Sequence, residues 1–288
     1  MGLYGDHAND GRADFFRPTG IKKMEQTPPT PPPPPRRVTM LDAIVRGRVQ
    51  KPPKIFVYGP EGIGKSSFAA KAWSPIFIQT EDGLNTIDCA KFPLCKTFAD
   101  VTAQLDTLLN EPHEFRTVVI DSLDWLQKLI HENFKNRRGI LIQKTEFQVG
   151  FQEAFDQEWR QIITKLDALA ESMAVILIAH SEITQYANAN SASFSRHTPK
   201  LHKIINAHLV EWAWDVLFAT HNINVETEKI GANKTRGVAN VISGGADDDG
   251  RILICSGGPA VVAKNRHGIK GSLPLSWAAF RDAAGLPQ

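Results

Sequence analysis

Residues 59–66 read Gly59-Pro60-Glu61-Gly62-Ile63-Gly64-Lys65-Ser66. The pattern is G-x-x-x-x-G-K-[ST], and each position has a chemical reason. Glycines let the backbone curl until successive N–H groups point inward at a phosphate. A helix starting at that point adds the positive end of its dipole. Lys65 supplies a mobile cation for β- and γ-phosphates, and the Ser66 hydroxyl suits Mg²⁺. From average composition such a run arises by chance in about one chain in 100 of this length. Here the context also fits: an apolar strand, Lys54–Tyr58, precedes it, and a helix over Ser66–Trp73 follows. The nucleotide-binding candidates are therefore Gly59, Pro60, Glu61, Gly62, Ile63, Gly64, Lys65, Ser66 and Ser67.

A phosphate loop needs a carboxylate partner for the cation. Val118-Val119-Ile120-Asp121 provides it, an apolar strand ending in an acid at the edge where open α/β sheets bind ligands. Ser66 and Asp121 are the expected magnesium ligands. Hydrolysis also needs a group that orients or deprotonates water. Residue 122 is Ser, so an Asp-Glu pair is absent, and Asp124 reads as the start of the next helix. Glu81, just past the apolar strand Ile76–Ile78, is the expected base, on a strand expected to neighbour that of the phosphate loop. His180 ends another apolar strand, Ala174–Ala179, and can sense a γ-phosphate by hydrogen bonding.

The rest of the chain supports one catalytic domain. Its 288 residues are 42% hydrophobic and 22% charged with a net charge of +2, ordinary values for a globular protein. Pro18, Pro28, Pro29 and the run Pro31–Pro35 mark a tail, residues 1–38, with little to bury. The folded domain is expected over 39–288, opening with a short helix in which Thr39 caps Met40, Leu41, Ile44 and Val45. Continuous apolar strands alternate with helices (Ala99–Leu109, Leu123–Phe134, and the run Phe151 to Met173), as a parallel sheet covered on both faces requires. From about Ala213, strands at Trp214–Ala219, Val238–Ile242, Arg251–Cys255 and Ala260–Ala263 suit antiparallel additions, closed by a helix at Ser276–Ala283. Three cysteines at no metal-ligand spacing argue against a disulfide framework and fit a reducing cytoplasm. No apolar run approaches a membrane span.

These motifs resemble the RecA-like ATPases, and among them the phage-encoded nucleotide-binding proteins grouped with single-strand annealing and recombination proteins. The matching pieces are YGPEGIGKSSFAA (58–70), PIFIQTEDGLN (75–85), VVIDSLDWL (118–126), AVILIAHSEI (174–183) and AVVAKNRHG (260–268). The resemblance implies a RecA-like α/β fold: a mostly parallel central sheet, helices on both faces and antiparallel C-terminal strands. It implies ATP and Mg²⁺ as ligands, Glu81 as catalytic glutamate, and His180 where the family usually has a γ-phosphate-sensing Gln. Lys264 and Arg266 fall where relatives carry basic residues that reach a neighbouring subunit's phosphates, so a homo-oligomer, ring or filament, is implied.

The resemblance further implies two DNA-facing loops. Lys135–Lys144 contains Arg137 and Arg138 and no acid; Tyr186–Val210 contains Arg196, Lys200, Lys203 and Phe194 and no acid. A flexible basic loop with a ring for base stacking suits sequence-tolerant single-strand binding. The expected activity is DNA-stimulated ATP hydrolysis on single-stranded DNA in phage recombination or annealing, in the host cytoplasm, with a single-strand binding protein as a further partner. The alternative is an ATPase that loads or remodels a protein such as a replicative helicase. A small-molecule kinase is the weakest reading, because a kinase usually needs an arginine-rich lid and an acceptor pocket, and the region expected for the lid reads here as the antiparallel C-terminal half.

Overall fold

A computed structural model of the chain describes residues 39–47, 51–138, 155–188, 191–231, 234–242 and 249–288. The chain divides into two units, Met1–Arg48 and Val49–Gln288. The proline-rich stretch 1–38 lies outside the described residues. In the first unit, Thr39 begins a single turn rather than the expected helix. Its N–H and hydroxyl donate to Asp42 Oδ2 at 2.8 and 3.0 Å. Met40, Leu41, Ile44 and Val45 are all exposed, so no burial offsets the cost of nucleating a helix there.

The second unit comprises, in chain order, β1 (Lys54–Gly59), α1 (Lys65–Ala69), β2 (Pro75–Gln79), β3 (Ala90–Lys91), α2 (Phe98–Asn110), β4 (Thr117–Asp121) and α3 (Leu123–Arg138). A π-helical turn, Phe155–Trp159, leads into α4 (Arg160–Leu169), then β5 (Ala174–Asn188), β6 (Ser191–Pro199), α5 (Lys203–Trp212) and β7 (Asp215–His221). The chain closes with β8 (Ile223–Gly231), β9 (Lys234–Val241), β10 (Arg251–Ile254), β11 (Ser272–Pro274) and α6 (Trp277–Ala283). The main sheet has the order β11-β10-β7-β1-β5-β4-β2-β3, and β6 pairs with the outer part of β5. Strands β7 through β3 in that order are parallel, and β10 and β11 extend the sheet in antiparallel fashion. This is the mostly parallel α/β architecture that the motifs imply.

The apolar strands read as unbroken runs because both faces are covered. Phe56, Tyr58, Ile78, Ile120 and Leu177 pack with residues of α2, α3, α4 and α5. Their alternates Ile55, Val57, Phe77, Val119 and Ile176 pack with Phe68 of α1 and with Trp277 and Phe280 of α6. Helix ends follow local chemistry. Thr97 and Asp100 form a reciprocal capping box at α2, and Ser276 caps α6. The helix expected to run through Met173 stops at Leu169, and Phe151 lies outside the described residues.

Several expectations are corrected. β2 is not the neighbour of β1, since β5 and β4 stand between them. β7 is parallel to β1 rather than antiparallel, because α5 carries the chain back across the sheet before it starts. Residues 238–241 belong to β9, which pairs with β8 in a separate two-stranded ribbon. Residues 260–263 form no strand and make isolated bridges only, such as His197 with Val261. The basic stretch expected as a loop over 186–210 instead carries regular elements at its described residues: 186–188 end β5, 191–199 form β6 and 203–210 belong to α5. Among the described residues no helix is long and apolar enough to cross a membrane.

Phe77 is fully buried at the centre of the second core. Phe77→Ala should lower unfolding stability by about 3–5 kcal/mol, whereas Thr97→Ala, which removes one cap, should cost about 1 kcal/mol. Urea unfolding of both variants checks the ratio.

Candidate functional site

The loop between β1 and α1 is held by close backbone packing. Gly59 ends β1 in register with His180 of β5. A Cβ on Gly59 would stand 2.3 Å from the Ala219 carbonyl oxygen of β7, so glycine alone lets these strands approach. Pro60, Glu61 and Gly62 form an exposed tip, and Ile63 turns into the second core. Gly64 adopts φ 107°, a left-handed conformation that reverses the chain into α1. That helix has five residues, shorter than the sequence implies, with Ser67 on its exposed side.

Lys65 is 6% exposed, and its ammonium curls back over the loop, donating to the Gly59 carbonyl at 3.0 Å and the Pro60 carbonyl at 2.7 Å. Burial pushes its pKa down, against the pull of Asp121, Asp124, Glu81 and Glu61. The Ser66 hydroxyl donates to Asp121 Oδ2 at 2.6 Å. Burial raises the Asp121 pKa, opposed by that hydrogen bond and by Lys65. These groups fit a magnesium-bound triphosphate. A desolvated ammonium lies over the phosphate loop, and a hydroxyl and a carboxylate, both hard oxygen donors, already meet. Bound Mg²⁺ would neutralise phosphate charge, with Ser66 and Asp121 holding it and residues 59–67 holding the nucleotide.

Glu81 reaches this edge although β2 is remote from β1. The β2–β4 ladder continues one step past the strands: the Thr80 and Glu81 N–H groups both donate to the Asp121 carbonyl, at 2.8 and 3.3 Å. The buried Thr80 hydroxyl donates to the Ser122 carbonyl at 2.6 Å, and the Ser122 hydroxyl donates to Glu81 Oε2 at 3.0 Å. Ser122, notable in the sequence only for not being an acid, thus holds the glutamate. The Asp121–Ser122 peptide is cis.

Asp124 also does more than begin a helix. It is 6% exposed, accepts the His180 backbone N–H at 3.2 Å, and meets His180 Nδ1 at 2.9 Å. The hydrogen bond to Asp124 raises the His180 pKa against the effect of burial. Burial is the largest influence on Asp124 and pushes its pKa up, but the His180 and Ser122 contacts together outweigh it and hold the pKa down. The Glu81, Asp124 and His180 donor atoms lie within 4.8 Å of one another. The only sequence signal for Asp124 is its place three residues beyond Asp121, in the first turn of α3, a position that a helix start explains equally well.

The remaining candidates lie elsewhere. Lys264 bridges Val216, whose neighbour Phe56 is three residues before Gly59, about 10 Å down the strand. Its ammonium donates to the Glu211 carbonyl at the end of α5, and Arg266 lies 5.8 Å from the Trp214 ring. Neither joins the phosphate loop of its own chain. Arg137 and Arg138 close α3, and their side chains lie outside the described residues. Phe194 and Arg196 sit on β6; Lys200 follows it, donating its N–H to the His180 carbonyl at 2.8 Å, and exposed Lys203 starts α5. Cys95 and Cys255 are buried thiols whose pKa is pushed up by burial to about 12 and about 11, which leaves them inert.

Residues 51–267 match the sequence profile of the AAA domain family. The chain belongs to that family. Among solved structures, this AAA domain is similar to the flagellar accessory protein FlaH of Methanocaldococcus jannaschii. That match has 11% identity and a TM-score of 0.31, covering 78% of this chain and 92% of the other. No curated protein matches the chain. Family and motif together make this AAA domain a P-loop ATPase.

Lys65→Ala should cut ATP turnover by about 100-fold or more, as loss of a preorganised charge donor does, with the melting temperature without nucleotide little changed. The His180–Asp124 pair makes a pH prediction. With its folded pKa raised, His180 contributes stability below its unfolded value of about 6.5, and loses it as pH rises through the folded value. With its folded pKa lowered, Asp124 contributes above about 3.9, and loses that contribution as pH falls through the folded value. The stability gap between wild type and Asp124→Asn should therefore be widest near pH 5–6 and narrow by about pH 9. Thermal melts across that range check it, and a gap independent of pH would refute the pairing.

Proposed function

We propose that the protein is a Mg²⁺-dependent, RecA-like ATPase that acts on single-stranded DNA as a head-to-tail oligomer, in homologous recombination or annealing of the phage type. Within the site, Lys65 and the loop N–H groups bind the triphosphate, Glu81 accepts the proton of the attacking water, and His180, held by Asp124, donates toward the γ-phosphate.

The observation that carries the DNA assignment is the β5–β6 ribbon. β5 lies in the sheet as far as His180 and then runs on, out of it, paired with β6. On one face of that extension Tyr186 stands opposite Phe194 with ring centroids 5.4 Å apart, and the Arg196 guanidinium lies 5.4 Å from the Tyr186 ring. Two rings and a cation on a projecting ribbon form a stacking platform for unpaired bases. Tyr186 of the platform and the γ-phosphate sensor His180 share β5, which supports mutual stimulation of DNA binding and hydrolysis.

Oligomerisation is supported by Lys264 and Arg266, which lie toward the edge of the sheet opposite the phosphate loop. In a head-to-tail arrangement that edge of one copy meets the nucleotide edge of the next, and repetition gives a ring or a filament.

Turnover should rise with single-stranded DNA, and log affinity should fall with log salt by about 0.7 per phosphate neutralised. Tyr186→Ala or Phe194→Ala should each weaken DNA binding about tenfold. A flat ATPase response to DNA at low salt would favour loading or remodelling of a protein partner. Glu81→Gln should keep nucleotide affinity and lose turnover by about 100-fold or more. If sites are shared, mixing inactive Glu81→Gln with inactive Lys264→Ala/Arg266→Ala should restore activity, because an intact site then meets an intact donor. No recovery in mixed oligomers would remove the shared-site assignment.

A further inference from the structure

Arg251 is the first residue of β10 and pairs with His221, two residues beyond the level of Ala219 and hence of Gly59. An antiparallel strand starting here delivers its first side chain to the nucleotide edge. The Arg251 guanidinium reaches the outer side of the phosphate loop, where Nη1 donates to the Ile63 carbonyl at 3.1 Å. It also fills the open face of Gly64: a Cβ there would stand 2.5 Å from Nη1. The other side of the guanidinium is braced. Nε donates to Asp249 Oδ2 at 2.5 Å, Nη2 pairs with the same carboxylate, and the Arg251 backbone N–H donates to Asp249 Oδ1 at 3.1 Å.

The consequence follows from peptide geometry. The Ile63–Gly64 peptide is trans, so its carbonyl and its N–H point in opposite directions across one rigid plane. A carbonyl gripped by Arg251 therefore fixes the Gly64 N–H pointing away from the guanidinium, where a phosphate cradled by the loop would meet it. Gly64 has the fewest steric restraints of any residue, and at φ 107° this plane is otherwise free to rotate at little cost.

We propose that Arg251, braced by Asp249, is a positioning residue of the phosphate loop: by gripping the Ile63 carbonyl it aims the Gly64 N–H at the bound nucleotide. Arg251 acts through the loop and not by touching the γ-phosphate. Its effect is therefore on ground-state binding of ATP and ADP alike. The inference rests on the nucleotide-binding reading of the loop.

The test uses the full chain and three variants, Arg251→Ala, Arg251→Lys and Asp249→Asn. Affinity for fluorescent N-methylanthraniloyl ATP and ADP, steady-state kinetics and melting temperature without nucleotide are measured together. Arg251→Ala should weaken both nucleotides and raise KM for ATP by about tenfold, the worth of one hydrogen bond from a charged donor. Its kcat should stay within about twofold, as for a lost ground-state contact, and its nucleotide-free melting temperature should hold. Arg251→Lys should recover part of the affinity, because an ammonium reaches one carbonyl but cannot bridge to Asp249 as a fork does. Asp249→Asn should fall between, and decides the matter if Arg251→Ala does not fold. Unchanged affinity in the variants, or a fall in kcat at constant KM, would overturn the proposal. Failure of the wild type to bind either nucleotide would overturn the reading of the loop itself, and this proposal with it.

Discussion

Parallel strands share a direction, so β1, β2, β4 and β5 must all finish at the same edge of the sheet, and that constraint sets up the site. Register makes the convergence quantitative. Gly59 is level with His180, Gln79 is level with Asp121, and Asp121 is level with Ile178. Residues more than 120 positions apart in the chain thus end within two residues of one another along the strand direction. The sheet keeps this arrangement because its central strands are apolar and buried on both faces, while Gln79, Thr80, Asp121 and Ser122 gather where β2 and β4 stop.

What happens beyond the strand ends is governed by hydrogen bonding rather than by burial. Lys65 is satisfied by two carbonyls of its own loop, Ser66 by Asp121, Ser122 by Glu81, and Asp124 by His180. Each of these side chains is partnered, which holds it in one orientation at the candidate nucleotide site. Tyr58, the residue before Gly59, extends the arrangement downward. Its hydroxyl donates to the His197 carbonyl of β6 at 3.2 Å and accepts the Val262 N–H at 3.0 Å. One side chain therefore ties the phosphate-loop strand to the β5–β6 ribbon and to the segment that carries Lys264 and Arg266.

Much of this was legible in residue order. The phosphate loop, Asp121, and the strands around Val57, Phe77, Val119 and Ile176 announce themselves through local pattern: glycine spacing, or an apolar run closed by an acid. Glu81 was legible as an acid past an apolar strand, though the strand proved to lie two places further from β1 than expected. Ser122, Asp124 and Arg251 were not legible. Their roles come from partners 41, 56 and 188 residues away, and nothing in a serine, aspartate or arginine taken alone names its partner. The strand β6 was not legible, because small and polar residues such as Ser191–Ser195 carry little strand signal. Pairing with β5 supplies the order that local propensity does not.

The sequence by itself determined the covalent chemistry and the local geometry. A loop of this composition can curl until its N–H groups face inward, and continuous apolar strands of this pattern call for burial on two faces. Only the tertiary structure decided strand order, the partner of each polar group, and the separation of Lys264 and Arg266 from the loop of their own chain. The physical reason is range. Backbone conformation and hydrophobic periodicity act over a few residues, whereas register, packing and hydrogen bonding across a sheet are set by which distant segments bury one another.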